Sequence, residues 1–226
     1  MAGTSNTVIV DIDSTLYCFL SAFQKSASSQ LGIDVPDPEH ITEWSGIEPF
    51  FGDFRDFLSC VEHAYSYEHI DSNVPYLGAV SGVHRIQDAG YEIHYYTDRP
   101  KSMEAATFDW LEKYGFPSTS NLHVCADKRA ELVEISEDIV TILDDRPRTL
   151  VWARYELGLE KVFSIKHGYN RNLVDIPGVF LEDNWHELVD TFFKEIGNGE
   201  RHGSQKGSVH GGTGVGQIDR VPSISD

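Results

Sequence analysis

Hydrophobic and polar positions alternate along the first 196 residues in blocks that predict strands and helices in turn. Apolar runs rich in β-branched and aromatic residues predict four buried strands, at residues 8–12, 91–97, 139–143 and 161–165. Helical patterns follow at residues 78–89, 103–114, 128–135, 148–157 and 185–196. Strands that alternate with helices of this length indicate crossover connections. We therefore expect an open α/β domain with a mostly parallel sheet.

Two segments depart from this alternation. Residues 17–76 separate the first predicted strand from the next unit and are rich in aromatic side chains, with prolines at positions 36 and 38. Because a structureless loop of this length is improbable in a compact domain, we expect a small helical cap inserted after the first strand. The core would then consist of residues 1–16 and 77–196. Residues 197–226 hold eight of the nineteen glycines and few large apolar residues, which predicts a flexible tail.

The charge balance narrows the range of partners. The chain has 18 Lys and Arg against 36 Asp and Glu, a formal net charge of −18. This charge repels a phosphate backbone, so we expect no duplex nucleic acid as partner, and a small anionic substrate would need local basic side chains or a metal. No apolar run approaches the roughly 20 residues of a membrane span, so we expect a cytoplasmic protein with no membrane partner. The three widely spaced cysteines, Cys18, Cys60 and Cys125, are expected to be reduced and structural.

Polar side chains follow three of the predicted strands. In an open parallel sheet, ligands bind beyond the carboxyl ends of the strands. The residues at these ends are Asp11, Asp13 and Thr15, then Thr97, Asp98 and Arg99, and then Asp144 and Asp145. Neighbouring carboxylates repel each other unless a cation lies between them, and hard oxygen ligands favour Mg²⁺. Any single Asp here is explained by a helix cap or turn, but three such strand ends together predict a metal site.

The same residues carry a family resemblance over roughly residues 7–190. The strand followed by DIDST at positions 11–15 resembles the first motif, DxDxT, of the haloacid dehalogenase (HAD) superfamily of phosphatases. Thr97 after YEIHYY is similar to the second motif, Lys128 at the start of KRAELVEI to the third, and LDD at positions 143–145 to the fourth. The resemblance implies a Rossmann-like fold with a cap after the first strand, and a phosphate-transfer chemistry that requires Mg²⁺.

The resemblance also implies a role for each motif residue. Asp11 would be the nucleophile that becomes an aspartyl-phosphate, and Asp13 would protonate the leaving oxygen and then activate water. Thr97 and Lys128 would contact the phosphoryl group. The Mg²⁺ would be bound by Asp11, by the backbone carbonyl of Asp13, and by Asp144 and Asp145, of which Asp145 could instead orient a ligand. We also expect substrate contacts from Thr15, Asp98 and Arg99.

Two positions leave the motif assignment open. Lys101, just after TDRP, competes with Lys128 for the third motif, although Lys128 is favoured because it precedes the next strand by a helix and a loop. The chain has Ser14 where many family members have glycine, which affects the turn after the first strand but removes no catalytic group.

The order of a helical cap, LGAVSGVHRIQDAGYEIHYYTDRP, a helix that begins with Lys, LDDRP and a late HGYNR resembles that of 5′-nucleotidases of the 5′(3′)-deoxyribonucleotidase type. This similarity implies hydrolysis of nucleoside or deoxynucleoside monophosphates, with cap aromatics stacking on the base. The candidates for stacking are Trp44, Phe50 and Phe51, each of which is more simply a core residue of the cap. Two alternatives remain: a phosphatase for another small ester, such as a sugar phosphate or a 3′-phosphate end, and a non-catalytic binding protein with the same fold. The sequence makes no prediction of oligomeric state.

Overall fold

The described part of the chain is built on a six-stranded parallel sheet. The computed structural model describes residues 6–66, 70 and 73–197. The strands lie in the order β3-β2-β1-β4-β5-β6, and every neighbouring pair is parallel. Their bounds are β1 Thr7–Val10, β2 Glu92–Thr97, β3 Leu122–Val124, β4 Ile139–Leu143, β5 Val162–Ile165 and β6 Val179–Glu182. The expected open α/β architecture is confirmed.

The described residues also form seven α-helices. These are α1 Phe19–Leu31, α2 Phe54–Ala64, α3 Ala79–Asp88, α4 Glu104–Tyr114, α5 Lys128–Glu134, α6 Pro147–Tyr155 and α7 Trp185–Glu195. Short 3₁₀ helices occur at Pro38–His40, Trp44–Phe50, Lys101–Met103, Thr119–Asn121, Ser136–Asp138 and Gly168–Leu173. The sequence pattern predicted α3 to α7 but missed β3 and β6. Both are edge strands of three and four residues with partly exposed side chains, too short and too mixed for a clear apolar run.

The central strand β1 is covered on both faces. Val8 and Val10 point into one apolar cluster and Ile9 into the other, and all three are fully buried. Side chains alternate across a strand, so a strand buried on both faces reads as a continuous apolar run. Because β1 is central, the residues that follow it emerge in the middle of the molecule.

The chain turns sharply after β1. Ser14 has a left-handed backbone with φ 57°, a conformation that costs a non-glycine residue roughly 1 kcal/mol or more. His167 Nε2 donates to the Ser14 carbonyl at 2.7 Å, and Trp185 Nε1 donates to the Thr15 carbonyl at 2.9 Å. These two contacts from distant parts of the chain stabilise the turn. Ser14 stands there at a position where many members of the resembled family have glycine.

The segment between β1 and α3 contains α1 and α2, which pack on each other. Their interface is aromatic: the ring centroids of Phe23 and Phe57 lie 5.4 Å apart, and those of Phe19 and Tyr65 lie 4.8 Å apart. The function of residues 17–76 as a cap stays a prediction. Residues 198–226, which carry nearly all of the predicted flexible tail, lie outside the described residues. Among the helices of the described part, none has the length and apolar character to cross a membrane.

Candidate active site

A buried lysine joins the carboxyl ends of β1 and β4. The Nζ atom of Lys128, the first residue of α5, lies 2.6 Å from Asp11 Oδ1 and 2.6 Å from Asp144 Oδ2. The three residues are at most 5% exposed. Lys101, the competing cation, instead pairs with Glu104 at 2.6 Å and exposes 69% of its side chain.

One ammonium therefore serves two buried carboxylates. Burial raises the pKa of Asp11 to about 7, against the lowering effect of Lys128, and the charges of Asp144 and Asp13 add to the rise. Burial would lower the pKa of Lys128, but Asp11 and Asp144 outweigh it and raise that pKa above its usual value. The cluster is therefore short of positive charge.

Asp13 is held by a different cation. Arg99 Nε donates to Asp13 Oδ2 at 2.9 Å and Arg99 Nη2 to Asp13 Oδ1 at 2.8 Å, and the Tyr17 hydroxyl donates to Oδ1 at 2.6 Å. Burial alone would raise the pKa of Asp13, but the charge and hydrogen bonds of Arg99, aided by Tyr17, outweigh it and lower the pKa. The surroundings of Asp11 thus raise its pKa, whereas those of Asp13 lower its pKa.

The other predicted residues of the first two strand ends lie beside them. Thr15 Oγ1 donates to Asp11 Oδ2 at 3.2 Å, and Thr97 Oγ1 lies 3.4 Å from Asp13 Oδ2. Asp98 accepts from the backbone N–H of Lys128 at 3.2 Å and from Arg146 Nη1 at 2.8 Å. Asp98 therefore holds the first residue of α5 by its backbone and pairs with the Arg146 guanidinium, and Arg99 is committed to Asp13. The structure places neither side chain as a free group that faces a substrate.

Arg146 and Tyr169 are neighbours of the site that sequence reasoning did not assign. The backbone N–H of Arg146 donates to Asp144 Oδ1 at 2.8 Å, and Tyr169 donates its hydroxyl to Asp145 Oδ2. Asn170 Nδ2 adds a bond to the Asp145 carbonyl at 3.1 Å. Burial, with the charges of Asp11 and Asp144, raises the pKa of Asp145 well above its usual value. Two sequence features could have pointed to these residues: the Arg directly after LDD and the HGYNR segment after β5.

The acidic residues here suit a hard metal ion by their chemistry. Carboxylates of Asp11, Asp144 and Asp145 surround a region with too little positive charge, and Mg²⁺ typically takes only one or two protein carboxylates while it keeps several waters. No three of these side chains form a tight ligand group. Within residues 6–66, 70 and 73–197, the trio whose ligand atoms lie within 4.8 Å of one another is Asp37, Glu39 and His40, all exposed.

The three predicted stacking aromatics have different settings. Phe51 is 8% exposed, and its ring packs 5.6 Å from that of Phe23 and 5.5 Å from that of Phe57. This is core packing within the insertion, which leaves no open ring face for a base. Phe50 is 47% exposed. The side chain of Trp44 lies outside the described part.

Solved structures of other proteins show which known fold the chain has. Among solved structures, a haloacid dehalogenase-like hydrolase from Streptococcus pneumoniae aligns with a TM-score of 0.59 at 13% identity, covering 84% of this chain and 99% of that one. A HAD family hydrolase from Deinococcus radiodurans, solved with bound phosphate and sodium, aligns with a TM-score of 0.57 at 12% identity, covering 84% and 96%. The chain therefore has the HAD-like fold, and the resemblance to HAD phosphatases is confirmed at that level.

Two proteins with similar sequences are both described as nucleotidases. A Bacillus cereus protein described as "Putative nucleotidase" is 28% identical over 196 residues, which is 82% of this chain and 97% of that protein. A similarly described protein from Oceanobacillus iheyensis is 28% identical over 116 residues, 50% of this chain and 59% of that protein. No family model matches the chain.

Proposed function

We propose that the chain is a Mg²⁺-dependent phosphomonoester hydrolase that acts through an aspartyl-phosphate on Asp11. The observation that carries this proposal is the Lys128 ammonium, which is 2.6 Å from both Asp11 and Asp144 in a buried setting. Such a cation keeps a nucleophilic carboxylate charged and in place and can also contact an incoming phosphoryl group.

In the first step, a carboxylate oxygen of Asp11 forms a bond to phosphorus while the ester P–O bond breaks. Because its pKa is lowered, Asp13 must first take up a proton from solvent; it then gives that proton to the leaving oxygen, while Thr97 and Lys128 hold phosphoryl oxygens. In the second step, Asp13 takes a proton from water, whose oxygen bonds to phosphorus while the bond to Asp11 breaks. Both aspartates return to their starting state, and the products are an alcohol and phosphate.

The chain's oxygen ligands for Mg²⁺ would be the carboxylates of Asp11 and Asp144 and the backbone carbonyl of Asp13, with Asp145 beside them. When bound, the ion supplies positive charge that stabilises the phosphoryl oxygens. Tyr169 holds the Asp145 carboxyl through its hydroxyl, so the role of Asp145 is to orient this edge of the site or to complete the ligand set. The phosphate and sodium bound to the Deinococcus protein support an anion and a cation site in this fold.

The substrate class we propose is a nucleoside or deoxynucleoside monophosphate. The names of the two sequence relatives support this choice, and the exposed ring of Phe50 offers a face to a base, with Trp44 as a second candidate. The alternative enzyme would act on another small phosphate ester, such as a sugar phosphate or a 3′-phosphate end. A non-catalytic binding protein with this fold is the alternative outside enzymes.

The test is phosphate release from nucleoside 5′- and 3′-monophosphates, sugar phosphates and 4-nitrophenyl phosphate, with Mg²⁺ or EDTA. Asp11→Asn removes the nucleophile, and Asp190→Asn is the matched control because Asp190 forms an exposed ion pair with Arg85 at 3.2 Å. We expect metal-dependent release that prefers nucleotides, is lost in Asp11→Asn and is kept in Asp190→Asn. Preference for sugar phosphates would select the alternative enzyme, and no release from any ester by the folded chain would contradict the proposal.

A further inference from the structure

Arg99 is the most deeply buried arginine of the site, and its hydrogen bonds go to protein groups. The residue is 1% exposed. Besides the two bonds to Asp13, Nη2 donates to the Tyr17 hydroxyl at 2.9 Å and Nη1 to Thr107 Oγ1 at 2.9 Å. Its guanidinium carbon lies 5.5 Å from the ring centroids of both Tyr17 and Tyr65. A guanidinium so enclosed has no open face for a substrate, in contrast to the substrate contact that the sequence suggested.

The two oxygens of Asp13 differ in how fully they are occupied. Oδ1 accepts two short hydrogen bonds, from the Tyr17 hydroxyl at 2.6 Å and from Arg99 Nη2 at 2.8 Å. Oδ2 accepts one short bond from Arg99 Nε at 2.9 Å, with Thr97 Oγ1 at the longer distance of 3.4 Å. A carboxylate oxygen has about two lone-pair sites, so Oδ1 is filled by short bonds, whereas the second site of Oδ2 holds only the long contact from Thr97, which a closer partner can replace. The Asp13 side chain is 14% exposed, so this carboxylate is not sealed from solvent.

We propose that Arg99 is a positioning residue that fixes the Asp13 carboxylate by Oδ1 and leaves Oδ2 as the oxygen that exchanges the proton. This inference rests on the proposed function. A planar guanidinium bonded side-on fixes both the position and the rotation of a carboxylate, which a lysine ammonium does not. Misplacing a reacting group by about 1 Å costs about 100-fold in rate.

The same arginine links Asp13 to the insertion. Tyr17 and Tyr65 belong to residues 17–76, whereas Thr107 lies on α4 of the core and donates in turn to the Met103 carbonyl at 2.7 Å. Arg99 therefore connects three elements at one point. The orientation of the Asp13 carboxylate therefore depends on how Tyr17, the first residue of the insertion, packs against Arg99, with the Tyr65 ring beside it.

The central experiment compares two esters in Arg99→Met and Arg99→Lys. A nucleoside leaving group requires a proton, whereas 4-nitrophenolate leaves with little help, so a misplaced acid slows the first step for the nucleotide only. The second step, in which Asp13 takes a proton from water, is common to both esters, so the comparison is made in kcat/KM, which reports the first step. We expect Arg99→Met to lower kcat/KM by about 10- to 100-fold for the nucleoside monophosphate, through kcat rather than KM, and by far less for the aryl ester. Arg99→Lys should fall between wild type and Arg99→Met. A rise in KM alone, equal losses with both esters, no loss, or full rescue by Arg99→Lys would overturn the proposal.

A double-mutant cycle shows whether Arg99 acts through Asp13. In an Asp13→Asn background, measured with the aryl ester and with nucleoside monophosphate, Arg99→Met should produce no further loss in kcat. The same loss in both backgrounds would show that Arg99 acts elsewhere, which contradicts the proposal.

Tyr17→Phe is the milder variant in case Arg99→Met does not fold. It removes one bond to Oδ1 and keeps the ring, and we expect a several-fold lower kcat/KM for the nucleotide with a smaller change for the aryl ester. Tyr95→Phe is its matched control, because Tyr95 is also buried and donates its hydroxyl to the Pro117 carbonyl at 2.7 Å. Equal effects of the two variants would overturn the proposal.

A readout independent of turnover separates this proposal from the proposed function. If the wild type hydrolyses neither ester, the proposed function fails. Crystal structures of wild type and Arg99→Met then decide the positioning claim alone. A rotated or displaced Asp13 carboxylate in the variant supports it, and an unchanged one overturns it.

Discussion

Asp11 and Asp13 lie two residues apart at the end of one strand, yet their carboxylates are held in opposite ways. Asp11 shares the Lys128 ammonium with Asp144, and burial raises its pKa to about 7. Asp13 has the Arg99 guanidinium to itself, which outweighs burial and lowers its pKa. Without a metal, these shifts are the reverse of what a charged nucleophile at Asp11 and a protonated acid at Asp13 require. The proposed reaction therefore needs a cation beside Asp11 to lower its pKa and a proton supplied to Asp13.

The comparison also shows where positive charge is lacking. On the Asp13 side one guanidinium faces one carboxylate, and its carbon lies 5.5 Å from the ring centroids of Tyr17 and Tyr65. On the Asp11 side one ammonium faces two carboxylates, with Asp145 beside them. A divalent cation is therefore expected on the Asp11 side, where it relieves repulsion between buried charges.

The largest effect is expected from removing the shared cation. Lys128→Met leaves Asp11 and Asp144 buried without their partner, so we expect a loss of about 3–5 kcal/mol in the free energy of unfolding. Activity should fall by about 100- to 1000-fold in kcat/KM, the usual cost of losing one preorganised donor. Urea denaturation and phosphate release measure the two effects.

Lys101→Met is the matched control for that variant. Lys101 forms an exposed pair with Glu104, and such substitutions usually change stability by less than about 0.5 kcal/mol. If Lys101→Met proved as damaging as Lys128→Met, the assignment of the third motif would move to Lys101.

The second prediction concerns the pH dependence of stability without metal. The folded pKa of Asp11, about 7, lies above the unfolded value of about 4, so the folded state binds a proton that the unfolded state releases. The contribution of Asp11 to the free energy of unfolding is fully present below a pH of about 4. It decreases as the pH rises towards 7, by up to about 1.4 kcal/mol per pH unit. Urea denaturation in EDTA should show this slope, and Asp11→Asn should reduce it, with the remainder coming from Asp145, whose pKa burial also raises. An unchanged slope in the variant would contradict the description of Asp11.

The contribution of Asp13 to stability should change with pH in the opposite direction to that of Asp11. Its folded pKa is lowered, so its stabilising effect is present above the unfolded value of about 4 and is lost as pH falls through the folded pKa. Asp13→Asn should therefore weaken the loss of stability in acid and leave the slope between pH of about 4 and 7 in place. The same pH profile for both variants would remove the contrast between the two aspartates.

The fold was largely predictable because β1, β2, β4 and β5 carry continuous or strongly apolar patterns. The edge strands β3 and β6 were not, because they are short and partly exposed. The sequence also predicted that Asp11, Thr97, Lys128 and Asp144 would meet, and the structure brings Asp11, Lys128 and Asp144 into direct contact.

Other features of the site depend on tertiary packing that no local pattern specifies. Arg99 comes two residues after Thr97, a position from which the sequence predicted a substrate contact. In the structure, Tyr17, Tyr65 and Thr107 enclose it. The Tyr169 hydroxyl reaches Asp145 from a different strand end. Phe51 is one residue from the exposed Phe50 and nevertheless lies in the core of the insertion.

The smallest effect is expected at the turn that holds both aspartates. Ser14 has φ 57°, which glycine adopts at no steric cost, although glycine loses more backbone entropy on folding. We expect Ser14→Gly to raise the free energy of unfolding by at most about 1 kcal/mol and to leave the ratio of rates for the two esters unchanged. A large change in that ratio would show that the serine side chain itself orients Asp11 or Asp13.

The central claim is that Asp11 becomes covalently phosphorylated, and trapping that species tests it most directly. Enzyme quenched during turnover of its preferred ester is treated with borohydride, which reduces an acyl phosphate to an alcohol, and the peptide containing position 11 is examined by mass spectrometry. We predict conversion at position 11 in the wild type, none in unreacted enzyme, and none in Asp11→Asn. Phosphate release with no conversion at position 11, or with conversion at another carboxylate, would contradict the account.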